Sequence, residues 1–179
     1  MVYVALAIRS LVVVVFGVSA FGKLRSRAAF ATFRSWVASV PVWVAPRRPA
    51  LVAATLAGAE AVIVVLVALP WTATAGLALA LVTLAVFTAG TWIAVARGTG
   101  APCQCFGASA APLGPRHVLR DALLCVLAAA GVAVAGAGGA RPAGVLMSLA
   151  VGLAVALFVV HLDDLAALFT RDGIGQPGH

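Results

Sequence analysis

Residues 50–96 read ALVAATLAGAEAVIVVLVAL, then PWT, then ATAGLALALVTLAVFTAGTWIAVA. Two apolar runs, 50–69 and 73–96, are thus separated only by Pro70, Trp71 and Thr72. A helix needs about 20 apolar residues to cross the hydrocarbon layer. Backbone groups in lipid must pair internally, which only helices and closed barrels achieve. Both runs are too long for barrel strands, so each is expected to span as a helix. So short a connection makes them antiparallel neighbours. Trp71 suits the interface where they turn, as Trp43 and Trp92 do near other ends.

Three more runs resemble these two, at about 3–22, 117–137 and 143–162. The expected fold class is therefore all-α, a polytopic transmembrane helix bundle of four to five spans forming one domain over 1–179. The turn from Gly136 to Pro142 makes the last two runs a second hairpin. Composition agrees: the 179 residues are 64% hydrophobic and 9% charged, with a mean hydropathy of +1.14. A soluble domain carries about 25% charged residues, so the main solvent of this chain is lipid. The net charge of +7 would suggest nucleic acid in a soluble protein. Here the basic residues lie in connections, where orientation and anionic headgroups call for them. The expected partner is the lipid bilayer, with no nucleic acid. Arg9 lies inside the first run rather than ahead of it, which favours a retained helix over a cleaved signal.

Residues 23–49 differ from the rest. Lys23, Arg25, Arg27 and Arg34 interleave with Phe30, Phe33, Trp36, Val37 and Val40. The apolar members fall at helical spacing on one face, which predicts an in-plane amphipathic helix ending before Pro41. This connection carries six basic residues and no acid, so the positive-inside rule places it in the cytoplasm of a cell-membrane protein. Five spans then put residues 97–116 on the same side.

Residues 97–116 hold the clearest chemistry, Pro102-Cys103-Gln104-Cys105-Phe106-Gly107. Cysteines at i and i+2 reach disulfide distance only if the backbone bends, and the small ring is strained. A strained disulfide is oxidising and suits exchange better than stapling. Such exchange is easier in an extracytoplasmic, oxidising space, which opposes the charge count. Two other readings stand beside redox: reduced thiols that only fold the loop, or a soft-metal site formed by Cys103, Cys105 and His117. His117, Asp121 and Cys125 follow at successive i,i+4 positions at the start of the fourth run. In the redox reading His117, oriented by Asp121, lowers a thiol pKa or carries its proton. Cys125, deeper in the run, reads as packing. No motif calls for a cofactor.

Glu60 is an acid in the middle of a span, and an ionisable group there is a functional candidate by default. Arg9 is its expected partner. Counted from a shared membrane face, the two differ by about 4–5 Å in depth at ~1.5 Å per residue. His161, Asp163 and Asp164 read as the solvated end of the fifth span. Gly17, Ala20, Gly22, Gly58, Ala59 and Gly90 are expected to permit close helix approach.

These residues resemble the MauE family of methylamine-utilisation membrane proteins, within the broader group that includes DoxX-like proteins. The match lies in Ser19-Ala20-Phe21-Gly22-Lys23-Leu24, in Glu60 and in Cys103-Gln104-Cys105-Phe106-Gly107. It continues through Pro112-Leu113-Gly114 and Arg116-His117-Val118-Leu119-Arg120-Asp121. The resemblance implies a polytopic protein associated with redox maturation of partners. In methylamine-utilising bacteria this means processing, transport or disulfide formation of the methylamine dehydrogenase small subunit, beside a thioredoxin-like companion. The chain would then be a thiol–disulfide oxidoreductase component; the alternative is a structural or metal-binding subunit.

Overall fold

The computed structural model describes residues 1–39, 48–98, 114–134 and 142–171, with side chains at 1–38, 48–98, 114–134 and 142–162. Six helices cover them: α1 (Val2–Leu24), α2 (Arg27–Ser39), α3 (Pro49–Ala68), α4 (Ala73–Ala96), α5 (Pro115–Val134) and α6 (Pro142–Arg171). All but α2 contain a stretch long and apolar enough to cross a membrane. This is the expected all-α polytopic bundle. Cys103, Cys105, Val40, Pro41, Trp43 and the Gly136–Arg141 part of the second turn lie outside the described residues.

α1 is the axis of the bundle. It packs against α6, α3 and α5, with lesser contact to α2 and α4, while α3 and α5 each pack on α4. Its buried side chains, Ile8, Leu11, Val12, Val15 and Phe16, meet Ile63 and Val67 of α3, Leu77 and Leu84 of α4 and Leu124 of α5 in one apolar core. Exposed leucine, valine and phenylalanine cover the outer faces, as expected where the surrounding solvent is hydrocarbon. α6 packs mainly on α1, and its lipid-exposed flank runs through Leu146, Met147, Leu153 and Phe158.

Lipid tails are as apolar as the core, so close contact between backbones contributes more here than hydrophobic burial. Among the described residues, the glycines that provide it are other than Gly17, Gly58 and Gly90. A Cβ at Gly17, Gly58 or Gly90 would meet nothing described within 4 Å. At Gly76 it would lie 2.7 Å from Val67 Cγ2 and 2.8 Å from Val67 N, and at Gly131 2.8 Å from Ile8 Cγ2. At Gly152 it would strike Ala7 O and lie 2.7 Å from Ser10 Cβ. In so alanine-rich a chain, small residues occur on every face. Only the packing selects those that face a backbone.

The short turn between α3 and α4 is held by the Thr72 hydroxyl, which donates to Leu66 O at 2.8 Å. α4 ends with Gly98 at φ +60°, its N–H donating to Val95 O at 3.0 Å. A glycine reaches this left-handed position without Cβ strain and so closes the helix just ahead of the cysteine segment.

α2 is the expected amphipathic helix, and its apolar stripe meets protein. Phe33 (1% exposed) and Trp36 (8%) seat on Ala53 and Ala57 of α3, flanked by Phe30 and Val37. Arg25, Arg27 and Arg34 stay exposed. The last two apolar spans, Pro115–Val134 and Pro142–Leu162, lie close to the expected 117–137 and 143–162, and the helix α6 itself continues past the span through Asp163 and Asp164 to Arg171.

Candidate functional site

α1 runs toward the end of the bundle where α2 lies, and α3 starts from that end. Side chains on a helix lean toward its N-terminus. For Lys23, in the last turn of α1, that direction is back into the bundle. Its ammonium donates to Ser19 Oγ at 2.7 Å, one turn earlier, and to Glu60 Oε1 of α3 at 2.5 Å. Ser19 Oγ in turn donates to the same carboxylate oxygen at 3.0 Å. All three side chains are buried, at 2% for Ser19, 3% for Lys23 and 1% for Glu60.

Two aromatic rings complete the surroundings of the Lys23 ammonium. Phe33 of α2 lies 4.8 Å and Phe87 of α4 5.3 Å from Nζ, measured to the ring centroids. The faces of such rings carry negative potential and attract a desolvated cation. One ammonium thus binds α1, α2, α3 and α4 together.

The expected Glu60–Arg9 pair is not formed. Arg9 donates instead to backbone carbonyls at the far end of α3, to Val67 O at 2.9 and 3.2 Å and to Ala68 O at 3.4 Å. The physical reason is direction as well as register. Ser19, not a residue near Arg9, faces Glu60, and ten positions along α1 amount to about 15 Å. The lean toward the N-terminus carries Arg9 away from Glu60 and Lys23 toward it. In the sequence, Lys23 stands among the basic residues of the 23–49 connection. The available signal was its i,i+4 spacing from Ser19.

A second polar group starts α5. His117 (1% exposed), Arg120 (4%) and Asp121 (1%) are all buried. Gly114 precedes the helix, and its N–H donates to His117 Nδ1 at 3.0 Å. This is the reach of a third-position side chain back to the cap residue, as in a capping box. Nδ1 also lies 3.3 Å from Gly114 O. The ring is thus held by the Gly114 backbone, while Asp121 Oδ1 accepts from Arg120 Nε at 3.2 Å. Buried charges at a helix start are tolerable when paired in this way. Arg120 lies within the segment Arg116–Asp121 quoted from the sequence, where nothing gave it a role of its own.

Register relates the two groups. Thr88 Oγ1 of α4 lies 3.6 Å from Cys125 Sγ of α5. One turn nearer the α2 end, Thr91 and Asp121 therefore stand at the same level on facing helices. Cys125 is a free, half-buried thiol beside an apolar groove of about 500 Å³ between α4 and α5. Among the described residues, no three His, Cys, Asp or Glu side chains form a metal cluster.

In comparison with known families, residues 1–134 match the model of the family described as methylamine utilisation protein MauE. No curated protein and no solved structure matches the chain.

Proposed function

The chain belongs to the MauE family, and on that premise we propose that it is a multi-pass cell-membrane protein assisting redox maturation of partner proteins by thiol–disulfide exchange at Cys103 and Cys105. The observation that carries this reading is the buried polar start of α5, which follows the cysteine segment directly in the chain. In this reading His117, buried at the start of α5, hydrogen-bonds a thiolate of the cysteine pair, and hydrogen bonding to the charged form lowers a thiol pKa. Asp121 and Arg120 supply the paired charges around it.

In the exchange, a thiolate attacks a sulfur of the opposing disulfide, and a mixed disulfide forms while the other sulfur leaves as thiolate. The second cysteine of the dithiol then displaces the attacked sulfur. One disulfide is reduced, one dithiol is oxidised, and two electrons and two protons change hands. The companion is a thioredoxin-like protein or its client, and methylamine metabolism is the setting that the family name suggests.

Single Cys103→Ser and Cys105→Ser variants test the chemistry by acid-trapped, non-reducing electrophoresis. One variant, lacking the resolving thiol, should accumulate a mixed disulfide with the partner, while the other and the double variant should show none. A mixed disulfide persisting in the double variant, or absent from both single variants, would sink the redox reading. Full maturation by the double variant would favour the structural alternative.

Sidedness has its own test. The basic rim of Arg25, Arg27, Arg34, Arg48 and Arg97, all exposed, lies at the end where the cysteine segment begins. By the positive-inside rule that end is cytoplasmic. An impermeant maleimide should therefore label Cys103 and Cys105 in inverted vesicles and not in intact cells. Labelling in intact cells alone, and only after reduction, would reverse the orientation.

A further inference from the structure

Phe87 of α4 lies 5.3 Å from Lys23 Nζ, and Thr91 stands one turn further along α4 toward the α2 end. This outlines a polar column from Thr91 through Lys23 and Ser19 of α1 to Glu60 of α3. Beyond Glu60, toward the opposite end, Val12, Ile63, Val67, Leu77 and Ala80 close the interior with apolar side chains.

Two buried polar atoms in this column have no hydrogen-bond partner among the described residues: Glu60 Oε2 and Thr91 Oγ1. Thr91 (0% exposed) is instructive because its neighbours on α4 behave differently. The Thr83 and Thr88 hydroxyls donate back to Leu79 O and Leu84 O, at 2.9 and 2.7 Å. That is the usual way to satisfy a hydroxyl in an apolar helix, and Thr91 does not use it. Next to it, Gly90 is buried, yet a Cβ there would meet no described atom within 4 Å. Among the described residues, the Gly90 face of α4 thus has room of methyl size, one position along the helix from the unpartnered hydroxyl.

We propose that this column is a water-binding site, in which ordered waters bridge Thr91 Oγ1, the Lys23–Ser19 pair and Glu60 Oε2. A carboxylate offers about four acceptor positions, and Lys23 and Ser19 both use Oε1. Leaving a second carboxylate oxygen dry in a bilayer is strongly unfavourable. Buried waters typically make about three hydrogen bonds to otherwise unsatisfied groups, and occur where a space is both polar and large enough. The unpartnered Glu60 Oε2 and Thr91 Oγ1 supply the polar condition and the room beside Gly90 the other, and the apolar core closes the interior beyond Glu60. It gives Glu60 a hydrated route toward the α2 end, whatever the chemistry of the cysteines.

Hydroxyl-radical footprinting with X-rays, on the full chain in lipid nanodiscs, tests this directly, because radicals generated from bound water modify the side chains beside it. After normalisation for intrinsic reactivity and exposure, Phe87 (8% exposed) and Phe33 (1%) should be modified on the millisecond scale, while Ile63, Val12 and Leu77 of the apolar core should not. Gly90→Ala makes no close contact with a described atom and narrows the space. It should lower Phe87 modification by roughly threefold, as should Thr91→Val by removing a water ligand. In infrared spectra, the carboxylate band that disappears in Glu60→Gln should shift within minutes of transfer to D2O. Phe87 modified no more than Leu77, or equally in wild type and both variants, would overturn the proposal. A Glu60 band unmoved after a day in D2O would also do so.

Discussion

Lys23→Met is expected to destabilise the bundle by roughly 3–5 kcal/mol, the range for removing one partner of a buried ion pair. Methionine keeps most of the side-chain volume and removes the ammonium. Glu60, 1% exposed, would retain only the Ser19 hydroxyl on Oε1. The ring contacts from Phe33 and Phe87 would lose their cation as well, loosening α2. Adding Glu60→Leu should recover most of the loss, because an apolar pair of similar volume often matches a buried ion pair. A double-mutant cycle read by reversible unfolding in mixed micelles measures the coupling. A single Lys23→Met variant within about 0.5 kcal/mol of wild type, the usual spread for substitutions at unimportant positions, would show that the pair does not hold the helices.

The second large effect is expected at Gly152→Leu. A Cβ there strikes Ala7 O and lies 2.7 Å from Ser10 Cβ, so a backbone atom, not a flexible side-chain tip, stands in the way. Overpacking ordinarily destabilises by about 1–3 kcal/mol, and a rigid obstacle places this case at the top of that range. The Ser10 hydroxyl bond to Leu149 O, 3.1 Å, would be lost with the contact. Because α6 packs mainly on α1, the result should be detachment of α6 with the rest of the bundle retained. Cross-linking of engineered cysteine pairs across α1 and α6 reads this. Gly58→Ala is the control: its Cβ meets nothing described within 4 Å, and alanine should stabilise the helix by up to about 1 kcal/mol. Equal stability of the two variants would show that Gly152 is not a point of close approach.

Both predictions depend on contacts that no linear pattern displays. The matched stretch Ser19–Leu24 includes Ser19 and Lys23, yet among four basic residues in succession Lys23 looked like part of a cytoplasmic flank. The counting that offered Arg9 to Glu60 assumed spans starting flush at one face. The helices are offset, and the lean of their side chains decides which basic group turns inward. His117 and Asp121 were recognisable from their i,i+4 spacing after the cysteine pair. Arg120 beside Asp121 was not, since adjacent residues on a free helix point in different directions and only burial brings them into one polar group.

What the sequence determined by itself is what the solvent determines. Runs of about 20 apolar residues in lipid must become helices because their backbone groups have no other partner. Pro70, Trp71 and Thr72 leave no room for anything but a hairpin, and the periodicity of Phe30, Phe33 and Trp36 makes α2 amphipathic. The tertiary structure decided which helix stands at the centre, which glycines touch and which cation neutralises Glu60. In a bilayer, apolar residues gain little by turning inward, so hydropathy does not mark the packed face. Close backbone contact and the pairing of the few buried charges make that choice, and both exist only once the helices have met.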